Sequence, residues 1–250
     1  MNKIKISAIK YANSYPFIFG LKKNGFDREI ILETDHPADC AAKLISNKVD
    51  IGLIPVAALP TLPERHIISD FCIGANGKVK TVMLLSHSPF SEISTIYLDY
   101  RSLTSVNLTR ILAKNYWKRE FKWVDTHENF DFMKITKDES VILIGDQCFE
   151  HAAHFKYGID LSVEWNNFTG LPFVFACWTA NKKVSKEFIN EFNNALKFGV
   201  ENIPIVVKEM GQTGIMKGQE LEQYLTQNIN FILDEDKKKA LELFLSFLKD

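Results

Sequence analysis

The sequence predicts an α/β fold of two lobes that enclose a central cleft and are joined by two crossover (hinge) strands. Short β-type runs alternate with helical patterns over the first ninety residues, and two long apolar runs stand at 79–86 and 173–179. Such alternation is typical of βαβ units on a mostly parallel sheet. If each long run crosses between lobes, the two termini share one lobe and the middle of the chain forms the other.

The first lobe begins with three predicted strands, which are Lys3–Ala8, Glu29–Glu33 and Asp50–Ile54. A short amphipathic helix is predicted between the last two strands. The stretch Thr34-Asp35-His36-Pro37 offers this helix an N-cap and an early proline. Ala41, Leu44 and Ile45 then lie on one face, so the helix feeds a buried strand.

The two long apolar runs define the predicted lobes. Val79–Ser86 is followed by a polar stretch and marks the first crossing, while Phe173–Thr179 marks the return. The expected lobes are residues 1–86 with 178–250, and residues 87–177. Strands are predicted within the second lobe at Thr95–Asp99 and Ser140–Ile144, each ending in polar residues. Ligand sites of open α/β sheets gather at those carboxyl ends.

Further helices are predicted from apolar residues at helical spacing. In the second lobe, Ser102 or Thr104 offers an N-cap to the stripe Leu108, Ile111, Leu112 and Tyr116. The tail is predicted to be helical, with two stripes that pack as core: Phe188, Phe192 and Leu196, and then Leu241, Phe244, Leu245 and Leu248 behind the N-cap Asp234.

Composition and charge exclude several classes of protein. The chain has 250 residues, of which 46% are hydrophobic, enough for a substantial core. The 30 basic residues nearly balance the 31 acidic ones, so no basic field favours nucleic acid or an anionic membrane. No apolar stretch approaches the roughly 20 residues of a membrane span, and the first ten residues suit a strand better than a signal peptide. A cytoplasmic protein is therefore expected.

Standard catalytic and metal signatures are mostly absent. The sequence contains no nucleophile elbow, phosphate-binding loop, dinucleotide fingerprint or zincin motif. Its four cysteines are far apart, which favours reduced buried thiols. His151 and His154 would share one side of a helix, yet no third ligand with recognisable spacing follows, so no metal and no cofactor are predicted.

Three loops at strand ends carry the candidate functional residues. Asn13 follows the first strand and either contacts a ligand or caps the helix that Pro16 begins. The stretch 101–106 sets hydroxyls at a helix start, where free N–H groups and the helix dipole favour a carboxylate; capping alone would explain one hydroxyl. Gly145 allows a turn or a close approach of the backbone, and Asp146 either binds a substrate hydroxyl or caps a helix.

These segments belong to an ordered set of matches between residues 11 and 178. The matching stretches are residues 11–17 (Tyr-Ala-Asn-Ser-Tyr-Pro-Phe), 50–57, 79–86, 102–106 with Leu108 and Arg110, 143–146 and 169–178. The set resembles the chorismate dehydratase family of the futalosine route to menaquinone. Thr81 stands where serine is expected in the family pattern, a change that keeps the hydroxyl and adds a methyl group. The final seventy residues carry no distinctive motif.

The resemblance implies a type II periplasmic-binding-protein-like fold used inside the cell as an enzyme. The implied reaction removes water from chorismate to give 3-[(1-carboxyvinyl)oxy]benzoate, without a cofactor. It implies that Thr104, Ser105 and nearby amides hold one substrate carboxylate, and that Thr81 holds the second carboxylate or the ether oxygen.

The resemblance also implies roles for the other candidates. Asn13 would position the reacting C3–C4 edge, with Gly145 close to the ligand and Asp146 helping the hydroxyl to depart. Chorismate is the expected partner, and the chain is expected to be a monomer or a weak homodimer. Two alternatives stay open at this point. One is a solute-binding protein for a small carboxylate, which the apparent lack of an export signal disfavours. The other is the related 1,4-dihydroxy-6-naphthoate synthase, whose opening motif differs.

Overall fold

The computed structural model describes residues 3–23, 25–212 and 214–249, and these residues form two sheets surrounded by helices. In order across it, the six-stranded first sheet contains β11 (Asn230–Ile232), β4 (His66–Ala75), β10 (Phe173–Ala180), β3 (Ile51–Pro55), β1 (Ile4–Ile9) and β2 (Ile30–Asp35). The five-stranded second sheet contains β7 (Lys122–Asp125), β6 (Thr95–Leu98), β8 (Glu139–Ile144), β5 (Val82–Ser86) and β9 (Tyr157–Asp160). The predicted two-lobed α/β fold is confirmed.

The α-helices connect these strands and cover the sheets. They are α1 (Tyr15–Leu21), α2 (Pro37–Ile45), α3 (Leu103–Leu112), α4 (Gln147–His151), α5 (Leu161–Thr169), α6 (Lys186–Glu201), α7 (Ile203–Met210), α8 (Gly218–Gln223) and α9 (Glu235–Phe247). No described helix combines the length and the apolar character needed to cross a membrane.

Strand burial follows strand position. The central strands β3 and β10 are buried at every residue, because neighbours flank both edges and helices cover both faces. β1 runs parallel to β2 and β3, as the βαβ pattern predicts. β10 runs antiparallel to both of its neighbours, so the first sheet is mixed rather than mostly parallel.

The helix starts were predicted with mixed success. Ser102 caps α3 by accepting a hydrogen bond from the Ser105 N–H, and Asp234 caps α9 in the same way. For α2, His36 of the predicted stretch 34–37 occupies the N-cap position but makes no side-chain capping bond, and Pro37 begins the helix as expected. The Asp35 carboxylate instead contacts the Ser7 hydroxyl and the Lys43 ammonium group.

The chain passes between the sheets at 76–81, which overlaps the start of the first long apolar run, and at 170–172, which precedes the second run. Lys80 has φ +66°, which interrupts the extended backbone near the start of the run, so only Val82–Ser86 forms a strand, and this strand belongs to the second sheet. The return occurs at 170–172, before β10 begins, and β10 lies wholly in the first sheet. The first crossing thus falls at the start of its expected run and the second falls just before its expected run, and the expected division at residues 86 and 177 stays a prediction about domains.

Four strands were missed by pattern reading. β4 is long, yet its exposed and buried residues do not alternate, because its pairing with β10 shifts register twice. The short strands β7 and β9 stand at the edges of the second sheet. β11 interrupts the tail that was predicted to be all helix, and it pairs with β4. Short edge strands carry too few residues to show a period.

The helices α1 and α6 approach each other unusually closely. A Cβ built on Gly199 would stand 1.8 Å from the Pro16 carbonyl oxygen, and one on Gly20 would stand 1.9 Å from the Ala195 carbonyl oxygen. The two helix backbones can approach this closely only because each has a glycine, which lacks a side chain, at the contact. This contact fixes α1 directly behind the loop that carries Asn13.

Candidate active site

A cavity between the two sheets collects most of the predicted site residues. Its empty space, counted together with the open solvent at its mouth, is about 480 Å³. Five of the six predicted residues line it: Asn13, Thr81, Thr104, Ser105 and Gly145. The rest of the lining is mainly apolar and comes from both sheets: Ile9, Tyr11, Pro37, Pro55, Ile73, Val79, Val82, Ser102, Ile144, Phe175 and Ala176.

The first turn of α3 forms one polar wall of the cavity. Ser102 caps the helix through the Ser105 N–H, at 3.2 Å. The Thr104 hydroxyl is already engaged, because it donates to the Phe175 carbonyl at 3.1 Å and accepts from the Ala57 N–H at 3.3 Å. The buried Ser105 hydroxyl has no hydrogen-bond partner within the described part of the chain. Ser105 and the first-turn N–H groups are thus the groups available to an anion.

Asn13 lies in a 3-10 turn, Ala12–Ser14, between β1 and α1. It does not cap α1: Ser14 occupies the N-cap position and makes no side-chain capping bond. The Asn13 Oδ1 atom accepts a hydrogen bond from the Ser14 hydroxyl at 3.3 Å. Its NH₂ group faces the Tyr224 hydroxyl, and this contact lowers the pKa of that phenol. Because an amide carries two N–H donors, the group can also donate to a ligand in the cavity.

Asp146 stands beside the cavity rather than in its lining. Its two carboxylate oxygens lie 3.0 and 3.2 Å from the Ala12 N–H, so the side chain joins the second lobe to the Asn13 turn. Although Asp146 occupies the N-cap position of α4, it makes no capping bond. Burial raises the pKa of this carboxyl above its usual value, and the Ala12 N–H opposes the rise.

Two features of the structure require glycine at position 145. Its φ of +65° is a conformation that other residues rarely adopt. A Cβ on Gly145 would also stand 2.7 Å from the Tyr11 ring, which arrives from the first lobe. Gly145 and Asp146 therefore touch the same loop, residues 11–13, from the opposite sheet.

Two tyrosines belong to the site and were not singled out from the sequence. Tyr11 lines the cavity, and its hydroxyl lies 3.1 Å from His36 Nδ1. Tyr224 is buried, and its hydroxyl lies 2.8 Å from the Thr81 hydroxyl. Tyr11 stands within the matched stretch 11–17, so its place in that motif could have marked it as a site residue. Tyr224 comes from the motif-free tail, where no sequence signal distinguished it from a core residue.

Charged groups are scarce around the cavity. Its lining contains no lysine, arginine, aspartate or glutamate. Just outside, Arg101 makes a two-point ion pair with Asp99, at 2.9 Å on each side. Burial raises the pKa of Tyr11, and the Arg101 guanidinium opposes this rise. The cavity thus presents hydroxyls, an amide and backbone N–H groups in place of ionised side chains.

The two histidines considered as metal ligands lie away from this cavity. The rings of His151 and His154 are 6.2 Å apart, and His151 packs against Phe132. Within the described ranges no group of three or more metal-ligating side chains occurs.

Comparisons with known proteins agree with the resemblance. A family described as menaquinone biosynthesis matches residues 4–250. The chorismate dehydratase of Thermus thermophilus is 24% identical to this chain over 265 residues, which cover 96% of this chain and 93% of that protein. The chorismate dehydratase of Campylobacter jejuni is 22% identical over 249 residues and covers 96% of both chains.

Solved structures agree on the fold. A crystal structure of an Archaeoglobus fulgidus protein superposes with a TM-score of 0.78 at 15% identity, covering 99% of this chain and 97% of that one. A Candida albicans protein, described as exhibiting the generic periplasmic binding protein fold, has a TM-score of 0.66 at 13% identity, covering 98% and 91%. The predicted periplasmic-binding-protein-like fold is confirmed. With a family match that spans nearly the whole sequence, the chain belongs to the menaquinone biosynthesis family.

Proposed function

We propose that this protein is a chorismate dehydratase, a carbon–oxygen lyase that converts chorismate to 3-[(1-carboxyvinyl)oxy]benzoate and water. The observation that carries the proposal is the cavity between the sheets, in which Asn13, Thr81 and Ser105 converge with almost no ionisable side chain. The family match and the two relatives named chorismate dehydratase support the same activity.

The reaction suits a site of this kind. The C3–H bond of chorismate breaks and its electrons enter the ring. The C4–O bond then breaks, so that the hydroxyl departs and, with the proton, leaves as water. The ring carboxylate activates C3–H through the diene, and aromatisation drives the reaction. The protein must hold the dianion, stabilise the delocalised charge and limit access of water, and neutral donors in a mainly apolar cavity suit these tasks.

The residues take the following proposed roles. Ser105 and the first-turn N–H groups of α3 hold one carboxylate. The Thr104 hydroxyl, which bonds the Phe175 carbonyl and the Ala57 N–H, fixes the start of α3 against the first sheet. Thr81 holds the second carboxylate or the ether oxygen. Asn13 positions the C3–C4 edge. As an amide it is a poor general base, so the proton passes to a substrate carboxylate or to water.

The experiment that tests the proposal is incubation of the purified protein with chorismate. We expect loss of the diene absorbance and formation of one equivalent of the benzoate product. Cyclic dehypoxanthine futalosine, offered in parallel, should stay unchanged. Folded protein that binds chorismate but leaves it intact would establish a solute-binding protein instead. The predicted cytoplasmic location and the monomeric or weakly dimeric state stay predictions.

The α3 wall offers a matched pair of variants. Ser105→Ala removes a hydroxyl that is available to the ligand, and we expect KM for chorismate to rise about tenfold with kcat little changed, because uniform binding is lost. Thr104→Val removes a hydroxyl that bonds the Phe175 and Ala57 backbones, and we expect the free energy of unfolding to fall by about 1–3 kcal/mol. Steady-state kinetics and thermal unfolding separate the two effects. An unchanged KM in Ser105→Ala would remove Ser105 from the carboxylate site.

Asp146 has two candidate roles that substitution distinguishes. Asp146→Asn keeps an oxygen that accepts from the Ala12 N–H but does not ionise, whereas Asp146→Ala keeps neither property. We propose that Asp146 holds the Asn13 turn, and we expect the Asn variant to retain most of the turnover and the Ala variant to lose about tenfold. If both variants lose turnover equally, the carboxyl takes part in the departure of the hydroxyl instead.

A further inference from the structure

We infer that Tyr224 is a positioning residue of this site, whose hydroxyl directs the Thr81 hydroxyl to donate its hydrogen bond into the cavity. This inference rests on the proposed function and assigns a role to the C-terminal tail, which carries no motif. Tyr224 is the first residue of a π-helical segment, Tyr224–Asn228, that follows α8. Such widened turns recur at functional sites.

The contacts of Tyr224 place it behind the reactive wall of the cavity. Its side chain is 2% exposed, and its hydroxyl lies 2.8 Å from Thr81 Oγ1. Its ring meets the edge of Phe149, from α4 of the second lobe, at 5.1 Å between centroids. Tyr224 therefore touches both the connection that carries Thr81 and the helix that follows Asp146.

The direction of the hydrogen bond follows from the need to satisfy a buried phenol. Burial raises the pKa of Tyr224, and the Thr81 and Asn13 side chains oppose the rise, so the phenol keeps its proton. A buried O–H group that lacks an acceptor costs free energy. The hydroxyl has two neighbours, Thr81 Oγ1 at 2.8 Å and the Asn13 side chain. The Asn13 NH₂ group can only donate, so the acceptor left for the phenol proton is Thr81 Oγ1: Tyr224 donates and Thr81 accepts.

The Thr81 proton is then free to serve the ligand. The acceptor that the fold offers it is the Val79 carbonyl, at the long distance of 3.4 Å. A substrate oxygen in the cavity, which Thr81 lines, competes well with that weak bond. Tyr224 thus fixes the direction of the Thr81 O–H group before the substrate binds. A hydrogen-bond donor that is already oriented stabilises developing charge best, because it need not reorganise during the reaction.

Tyr224→Phe tests the inference, because it removes the hydroxyl and keeps the ring. We expect kcat for chorismate dehydration to fall about tenfold, as for the loss of one ordered hydrogen bond, with KM and the unfolding temperature near those of the parent. Thr81→Ser should keep near-parent kcat, since serine retains the hydroxyl. Tyr97→Phe is the matched control: its phenol contacts Glu139 at the far side of the second sheet, and its turnover should equal the parent's.

A double-mutant cycle shows whether Tyr224 acts through Thr81. Thr81→Val should lower kcat, and adding Tyr224→Phe to it should cause no further loss, because the two hydroxyls act as one unit. A parent-like kcat in Tyr224→Phe, or losses that multiply in the double variant, would overturn the inference while the proposed function stands. A parent protein that fails to dehydrate chorismate would overturn both.

Discussion

Asn13→Ala is expected to lower kcat by about 10²-fold or more while leaving the unfolding temperature nearly unchanged. Loss of one ordered donor to a developing charge has costs of this size. The Asn13 side chain accepts one long hydrogen bond from the Ser14 hydroxyl and also faces the Tyr224 hydroxyl, so truncation removes little from the fold. Single-turnover kinetics with chorismate, together with thermal unfolding, measure both quantities.

Asn107→Ala is a suitable control for this variant. Asn107 is also half-buried, lies on α3 outside the cavity lining and donates to the Leu103 carbonyl. Its turnover should equal the parent's. Parent-like turnover in Asn13→Ala would exclude Asn13 from the mechanism and would leave Thr81 and Ser105 as the remaining polar candidates.

Gly199→Ala is expected to have the largest effect on stability, a loss of about 3 kcal/mol or more in the free energy of unfolding. The new methyl group would stand 1.8 Å from the Pro16 carbonyl oxygen, and backbone atoms on two packed helices cannot move apart without separating α1 from α6. For a chain of this size, the unfolding temperature should fall by roughly 6–12 °C. Turnover should fall as well, because α1 continues directly from the Asn13 turn.

Gly214→Ala serves as the comparison, since a Cβ there meets its nearest atom at an ordinary 3.4 Å. Differential scanning calorimetry of the two variants should show a clear drop for Gly199→Ala and a small change for Gly214→Ala. Equal unfolding temperatures for Gly199→Ala and the parent would mean that the helices separate at little cost, and the close approach would then have no role in holding the Asn13 turn.

Much of the candidate site was accessible from local sequence because strand ends and helix starts are local features. Asn13, Ser105 and Gly145 were placed after predicted strands or at a predicted helix start. The parallel pairing of β6 with β8 brings Ser105 and Gly145 together, and the approach of the two sheets adds Asn13. Side-chain partners were not accessible in the same way. The Thr104 hydroxyl donates to the Phe175 carbonyl of β10, and the Asp146 carboxylate accepts from the Ala12 N–H, which is 134 positions away in the sequence. The functional roles of these residues stay predictions.

The sequence by itself determined the α/β class, the helix stripes of α3, α6 and α9, and the family, because periodicity, caps and ordered motifs are carried by neighbouring residues. Only the tertiary structure decided where the chain passes between the sheets, since the left-handed Lys80 and the shifted register of β4 depend on distant contacts. It also decided that Tyr224 stands against Thr81. A buried tyrosine in a helical tail has the same local pattern whether it packs in the core or orders a catalytic hydroxyl, and only the fold sets it 2.8 Å from its partner.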